Sequence, residues 1–149
     1  MRSFVIGAAL VGALGIGVAF AQGGSVIKQR QTIMEANGKA VELVSKMVKG
    51  ETPYDAKKAA DAMKSIYDSA PKFVTLFPEG SEKGEKTRAL PAIWKNKKDF
   101  EDWGKQLQED TTKAQTAAAG GLDSFKPALA AVGKTCGGCH DDYRSKEKQ

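Results

Sequence analysis

The stretch LDSFKPALAAVGKTCGGCHDDY, Leu122 to Tyr143, decides the fold. Leu122, Phe125, Leu129, Val132, Cys136, Cys139 and Tyr143 recur at alternating steps of three and four, the period of one face of an α-helix. Pro127 falls near the start of this helix, where proline is expected to be tolerated. Both cysteines lie on the apolar stripe, and such a stripe has to be covered by other elements. Working back along the chain, Gly120-Gly121 separates this helix from a third one, restarted at Pro91, whose face is Ile93, Phe100, Trp103, Leu107 and Ala114. Residues 78–91, rich in Pro, Gly, Glu and Lys, predict a solvated loop that covers one end of the molecule. A second helix carries Ala59, Met63, Ile66, Tyr67, Ala70, Val74 and Phe77. Thr52-Pro53 is its predicted N-cap and first position, and Pro71 is a point where it kinks or ends. A first helix repeats Ile27, Met34, Val41 and Val48 every seven residues, with Val44 and Met47 filling in, and ends at Gly50. No segment alternates with period two. The pattern predicts an all-α fold, an antiparallel four-helix bundle whose core is a natural place for a cofactor.

The N-terminal stretch is of another kind. Phe4 to Phe20 carries no charge, Arg2 is the cation ahead of it, and Ala19-Phe20-Ala21 is a small-any-small cleavage pattern. Residues 1–21 therefore read as a secretory signal, leaving a single domain over residues 22–149 that opens with a flexible Gln22-Gly23-Gly24. The uncharged run is shorter than the ~20 apolar residues of a membrane helix, so no stable membrane insertion is expected after cleavage. Of the 149 residues, 128 then remain, with a formal charge of +4 against +5 for the full chain. That is mildly basic, without the basic stripe a nucleic-acid binder needs. A chain of this length buries a sizeable core without disulfides, so its two cysteines need another explanation.

Cys136-Gly137-Gly138-Cys139-His140 is the attachment pattern for c-type haem. On a helix, thiols three residues apart share one face and can each add to a vinyl group of one porphyrin, while the next imidazole reaches the iron from the same side. The pattern uses every cysteine and the only histidine of the chain. Other readings fit less well. A structural zinc site needs four Cys or His ligands. A thioredoxin-like pair belongs in a fold with strands, and a disulfide across three residues constrains the unfolded chain very little. With one histidine, bis-histidine ligation within a chain is excluded. The sixth iron position is open, filled by a small ligand, or filled by the sulfur of Met34, Met47 or Met63, each of which also reads as a core residue. Arg30 shares a helix face with Met34 and reads either as a partner for a haem propionate or as a solvated arginine.

Val26-Ile27-Lys28-Gln29-Arg30 with Met34, Leu76-Phe77-Pro78, Leu90-Pro91-Ala92-Ile93-Trp94, and Cys136 through Arg144 together resemble the class II c-type cytochromes, the family of cytochrome c prime and its low-spin relatives such as cytochrome c-556. The likeness covers roughly residues 25–147. It implies haem c attached to the fourth helix of the bundle at Cys136 and Cys139, with His140 as proximal iron ligand and Arg30 near a propionate. It also implies Arg144 near the haem edge and Met34 at the distal position, as ligand or as pocket wall. Lys49 to Asp55 looks like the low-spin members, Val26 to Arg30 and Ala89 to Trp103 like cytochrome c prime. Trp94 and Trp103 read as packing residues.

Two functions follow. The first is electron transfer in the bacterial periplasm, with Met34 as the distal ligand and lysines such as Lys95, Lys97 and Lys98 steering acidic redox partners. The alternative is a five-coordinate iron that binds nitric oxide or carbon monoxide at an open distal site walled by Ile33, Met34 and second-helix residues. No acid–base apparatus stands out, so the chain reads as a non-enzyme. The resemblance further implies a homodimer through the first two helices.

Overall fold

The computed structural model describes residues 17–84 and 86–146, with side chains from Val26 onward; the first sixteen residues of the predicted signal lie outside the described ones. The described chain is all helical: α1 (Gly17–Val48), α2 (Ala56–Thr75), α3 (Ala92–Lys95), α4 (Lys97–Ala119) and α5 (Leu122–Tyr143). The four long helices form the bundle, and α3 is a single turn in the long connection. Among the described residues β pairing is confined to one antiparallel bridge, Ala89 to Arg144. No helix among them is long and apolar enough to cross a membrane.

Several boundaries differ from the sequence reading, each for a local reason. Gln22-Gly23-Gly24 is helical, because a helix nucleated downstream extends through glycines at only about 1 kcal/mol each. The N-cap of α2 is Asp55, not Thr52. The Asp55 carboxylate accepts the Lys58 N–H at 2.9 Å, while Thr52 sits in the turn that follows α1 and donates its own N–H to Lys46 O at 3.3 Å. Pro71 neither ends nor caps α2, which continues to Thr75, so the proline is accommodated inside the helix on an exposed face. Asn96, with φ −119° and ψ 47°, splits the predicted third helix into α3 and α4. The 78–91 loop is not wholly solvated either, since Ser81 is buried to 1% exposure. Gly121 turns the chain between α4 and α5 at φ +89°, a left-handed conformation that favours glycine.

α2 lies along α4 and α4 along α5, while α1 leans on α2. Gly104 lets α4 and α2 approach closely, for a Cβ there would stand 2.8 Å from Val74 Cγ1. Two apolar clusters result. One gathers Val44, Ala59, Met63, Ile66, Phe125 and Val132 near the Gly120-Gly121 end. Tyr54 closes it, donating its hydroxyl to Ala118 O at 2.8 Å and tilting its ring against Phe125. The other cluster is aromatic, with Phe77, Phe100 and Tyr143 meeting edge to face at centroid distances of 4.8 and 5.2 Å.

Phe125 is fully buried in the first cluster. Phe125→Ala is expected to cost about 3–5 kcal/mol in urea denaturation, the range for deleting a buried phenyl ring. A loss under about 1 kcal/mol would contradict the packing described.

Candidate functional site

Between the two clusters, and between α1 and α5, lies a cavity of about 670 Å³, inside the ~300–1,000 Å³ range usual for cofactor pockets. Cys136 packs against the first cluster and Cys139 against the aromatic one, so one turn of α5 spans the division. Both thiols are free, and both line the cavity together with His140. Burial raises both thiol pKa values, that of Cys139 up to about 12. At neutral pH they are therefore neutral thiols rather than reactive thiolates. Burial also lowers the His140 pKa, and the nearby Arg144 and Arg88 guanidiniums lower it further. The neutral imidazole that this favours is the form able to ligate a metal.

Two hydroxyl–carboxylate contacts hold α5 in register on α4 on either side of the cysteines. Thr135 donates to Asp110 Oδ2 at 2.6 Å, and Asp110 also accepts from Gln106 Nε2 at 3.1 Å. Tyr143 donates to Asp99 Oδ2 at 2.6 Å, and desolvation together with that bond pushes the phenol up to about 12. Between these contacts the Trp103 ring lies against Gly138, where a Cβ would come within 2.4 Å of the indole. Gly137 has open space at the same point. The second glycine of the attachment pattern is thus required by packing and the first is not.

The α1 wall presents Ile27, Met34 and Val41 among its apolar groups. Of its polar side chains at the cavity, Gln31, Asn37 and Arg30 are engaged elsewhere, and Glu35 also lines it. Gln31 Nε2 donates to Lys86 O at 3.1 Å, and Asn37 Oδ1 accepts from Ser69 Oγ at 3.0 Å. Arg30 is 5% exposed. Its Nε donates to Leu76 O at 2.7 Å, its terminal nitrogens donate to Ser81 O and Ser81 Oγ, and its guanidinium carbon lies 4.0 Å from the Phe77 centroid. Desolvation lowers its pKa to about 10, with Glu82 acting against the shift. Arg30 is therefore not the solvated arginine of the second sequence reading.

Of the methionines considered as ligands, Met34 lines the cavity, whereas Met47 and Met63 are buried in packing at 3% and 0% exposure. Ile33 packs with the aromatic cluster rather than on the cavity wall. Trp94 meets the Phe77 ring edge to face and donates to Pro78 O at 3.0 Å, a packing role. The loop closes the remaining side. Leu90 N–H bonds Tyr143 O at 3.0 Å and Ser145 N–H bonds Arg88 O at 2.8 Å, which brings Arg88 and Arg144 to the cavity together. Arg88, Asp110, Thr135 and Ser81 escaped the sequence reading. Asp110 left a signal, for it interrupts the apolar stripe between Leu107 and Ala114, where a carboxylate needs a buried partner.

Gly138→Ala is expected to destabilise the protein by about 1–3 kcal/mol through overpacking against Trp103. Gly137→Ala should be neutral or stabilising by up to ~1 kcal/mol, as for any exposed helical glycine. Parallel thermal melts compare them, and equal effects would remove Trp103 as the cause.

Comparison with known proteins agrees with this geometry. A family model described as Cytochrome C' matches residues 25–144. Cytochrome c' of Rhodopseudomonas palustris is 37% identical over 137 residues, covering 90% of each chain. Cytochrome c-554 of Cereibacter sphaeroides is 37% identical over 125 residues, covering 82% of this chain and 94% of its own. Among solved structures, the R. palustris cytochrome c' superposes with a TM-score of 0.76 at 35% identity, covering 83% of this chain and 98% of its own. A nitric oxide complex of a point mutant of cytochrome c prime from Alcaligenes xylosoxidans superposes with a TM-score of 0.75 at 30% identity, covering 85% and 99%. The long match, the bundle and the Cys136-to-His140 pattern lead to one conclusion: this chain belongs to the cytochrome c' family, a four-helix-bundle family whose cofactor is haem c.

Proposed function

We propose that the protein binds a small diatomic gas, nitric oxide or carbon monoxide, at a haem held by Cys136 and Cys139 through thioethers and by His140 as proximal ligand. The observation that carries this reading is the α1 wall across the cavity from α5. Gln31, Asn37 and Arg30 are committed to Lys86, Ser69 and Ser81, and Glu35 is the one carboxylate in the lining, so apolar groups including Met34 make up most of what a distal ligand meets. Such a wall disfavours water and suits a nearly apolar gas. Bound here, haem supplies an iron able to take a further small ligand or change oxidation state. The chain's own residues would hold it through α5, would exclude solvent with α1 and the loop, and keep the imidazole neutral through burial and the two arginines. The charge of Arg30 would stand near one propionate and Arg144 near the haem edge. The family match and the nitric oxide complex of the A. xylosoxidans relative favour gas binding over electron transfer.

The second reading makes Met34 the sixth ligand of a periplasmic electron carrier that meets acidic redox partners. Its support is that Met34 alone, among the methionines weighed as ligands, lines the cavity. In both readings residues 1–21 are removed on export to the periplasm, the protein is not an enzyme, and the α1–α2 face forms a homodimer. Leu43 on α1 and Tyr67 on α2, at 41% and 37% exposure, are the exposed large apolar side chains among the described residues.

The ferric and ferrous holoprotein and its Met34→Ala variant distinguish the readings by optical and EPR spectroscopy. Gas binding predicts a high-spin ferric spectrum insensitive to the substitution and ready uptake of nitric oxide or carbon monoxide. A low-spin spectrum whose sulfur-to-iron band disappears in Met34→Ala would overturn it in favour of the carrier. Sedimentation of the holoprotein as a monomer at micromolar concentration would exclude the dimer.

A further inference from the structure

The arginines are distributed unlike the lysines. Lysines on the outer faces pair with carboxylates three or four residues away, as in Lys57–Asp61, Lys64–Asp68 and Lys98–Asp102, each at 2.6 Å. Arg30, Arg88 and Arg144, all the arginines of the described chain, line this same cavity. Among the described residues no carboxylate lies within 4 Å of any of their guanidiniums. Three guanidiniums and Lys86 at a cavity whose lining has Glu35 as its one carboxylate leave an excess of positive charge, which is unfavourable unless the occupant brings negative charge. Haem brings two carboxylates, its propionates.

The three guanidiniums differ in what they have left to offer. Arg30 uses all three nitrogens on Leu76 and Ser81, and Phe77 lies over the guanidinium. One N–H on each terminal nitrogen is all that it retains. Arg88 is held along a single edge, where Nε, at 3.0 Å, and one terminal nitrogen both donate to Ser145 O. Its other edge, formed by the two terminal nitrogens, has no protein acceptor among the described residues. That edge is the fork that grips a carboxylate through two parallel bonds. Burial lowers the Arg144 pKa, and the nearby charge of Arg88 lowers it further. The bridge from Ala89 to Arg144 fixes the pair at the mouth of the cavity.

We propose that Arg88, steadied by Ser145 and flanked by Arg144, is a cofactor-binding residue that takes one haem propionate on its other edge, while Arg30 primarily clasps the loop and offers only its remaining N–H groups to the other propionate. The inference rests on haem occupying this cavity. It makes the 86–90 loop, which the sequence presents as a mere connection, part of the cofactor site.

The test uses the holoprotein, with covalent haem first verified by mass. Low-frequency resonance Raman spectra then report the two propionate bending modes, which fall in frequency when a propionate loses hydrogen bonds. Arg88→Gln is expected to lower one mode and leave the other in place. Arg88→Lys, which keeps the charge but not the two-pronged grip, should lower the same mode and serves where Arg88→Gln fails to fold. A loaded protein with both modes unmoved in Arg88→Gln, Arg88→Lys and Arg144→Gln would overturn the site. A wild-type chain without covalent haem would instead overturn the cofactor reading on which it rests.

Discussion

A buried guanidinium organises one end of this bundle. Arg30 projects from α1 into a region that would be apolar without it, and such a charge is tolerated only where its hydrogen-bonding groups are met. The end of α2 supplies Leu76 O and the loop supplies Ser81, so α1, α2 and the loop are bound by one side chain. The ring of Phe77 then packs on the cation at one side and on Phe100 at the other. Once the loop is pinned at Ser81 it can return past the cavity to meet the end of α5, where Ala89 pairs with Arg144. Without the clasp the loop would have no fixed starting point for that return.

A second constraint acts on α5, which carries the cysteines and the histidine. A helix of this kind can slide or rotate on its neighbour by a fraction of a turn at little cost if only apolar side chains meet. Asp110 with Thr135 and Asp99 with Tyr143 remove that freedom, because short hydroxyl–carboxylate bonds are directional. Trp103 adds a steric stop at Gly138. The two bonds bracket the attachment pattern, the steric stop falls inside it, and together they fix which way its side chains face.

Much of this was legible in the residues. The stepping of Leu122 to Tyr143 sets α5 almost to its boundaries, and the heptad from Ile27 locates α1, because burial enforces helical period wherever a face is covered. The attachment pattern located the cavity on α5, and Arg30 and Met34 were found on the facing helix. What escaped depends on contacts distant in sequence. Ser81 lies in a stretch that reads as solvent-facing, and only the arrival of Arg30, fifty-one positions earlier, buries it. The displaced N-cap of α2 is a different kind of miss. Thr52-Pro53 and Asp55 both offer capping chemistry, and the geometry of the turn leaving α1 chooses between them.

The sparse seam between α1 and α5 bears on how the protein comes apart and reassembles. The thioethers proposed at Cys136 and Cys139 join haem to α5 alone, so α1 can swing away without releasing it. Unfolding then carries no ligand-loss term, and stability does not vary with free haem concentration as it does for a dissociable cofactor. The denatured chain keeps a large apolar plate tethered to one segment, at an effective concentration set by chain length. Collapse has a fixed local seed in such a chain.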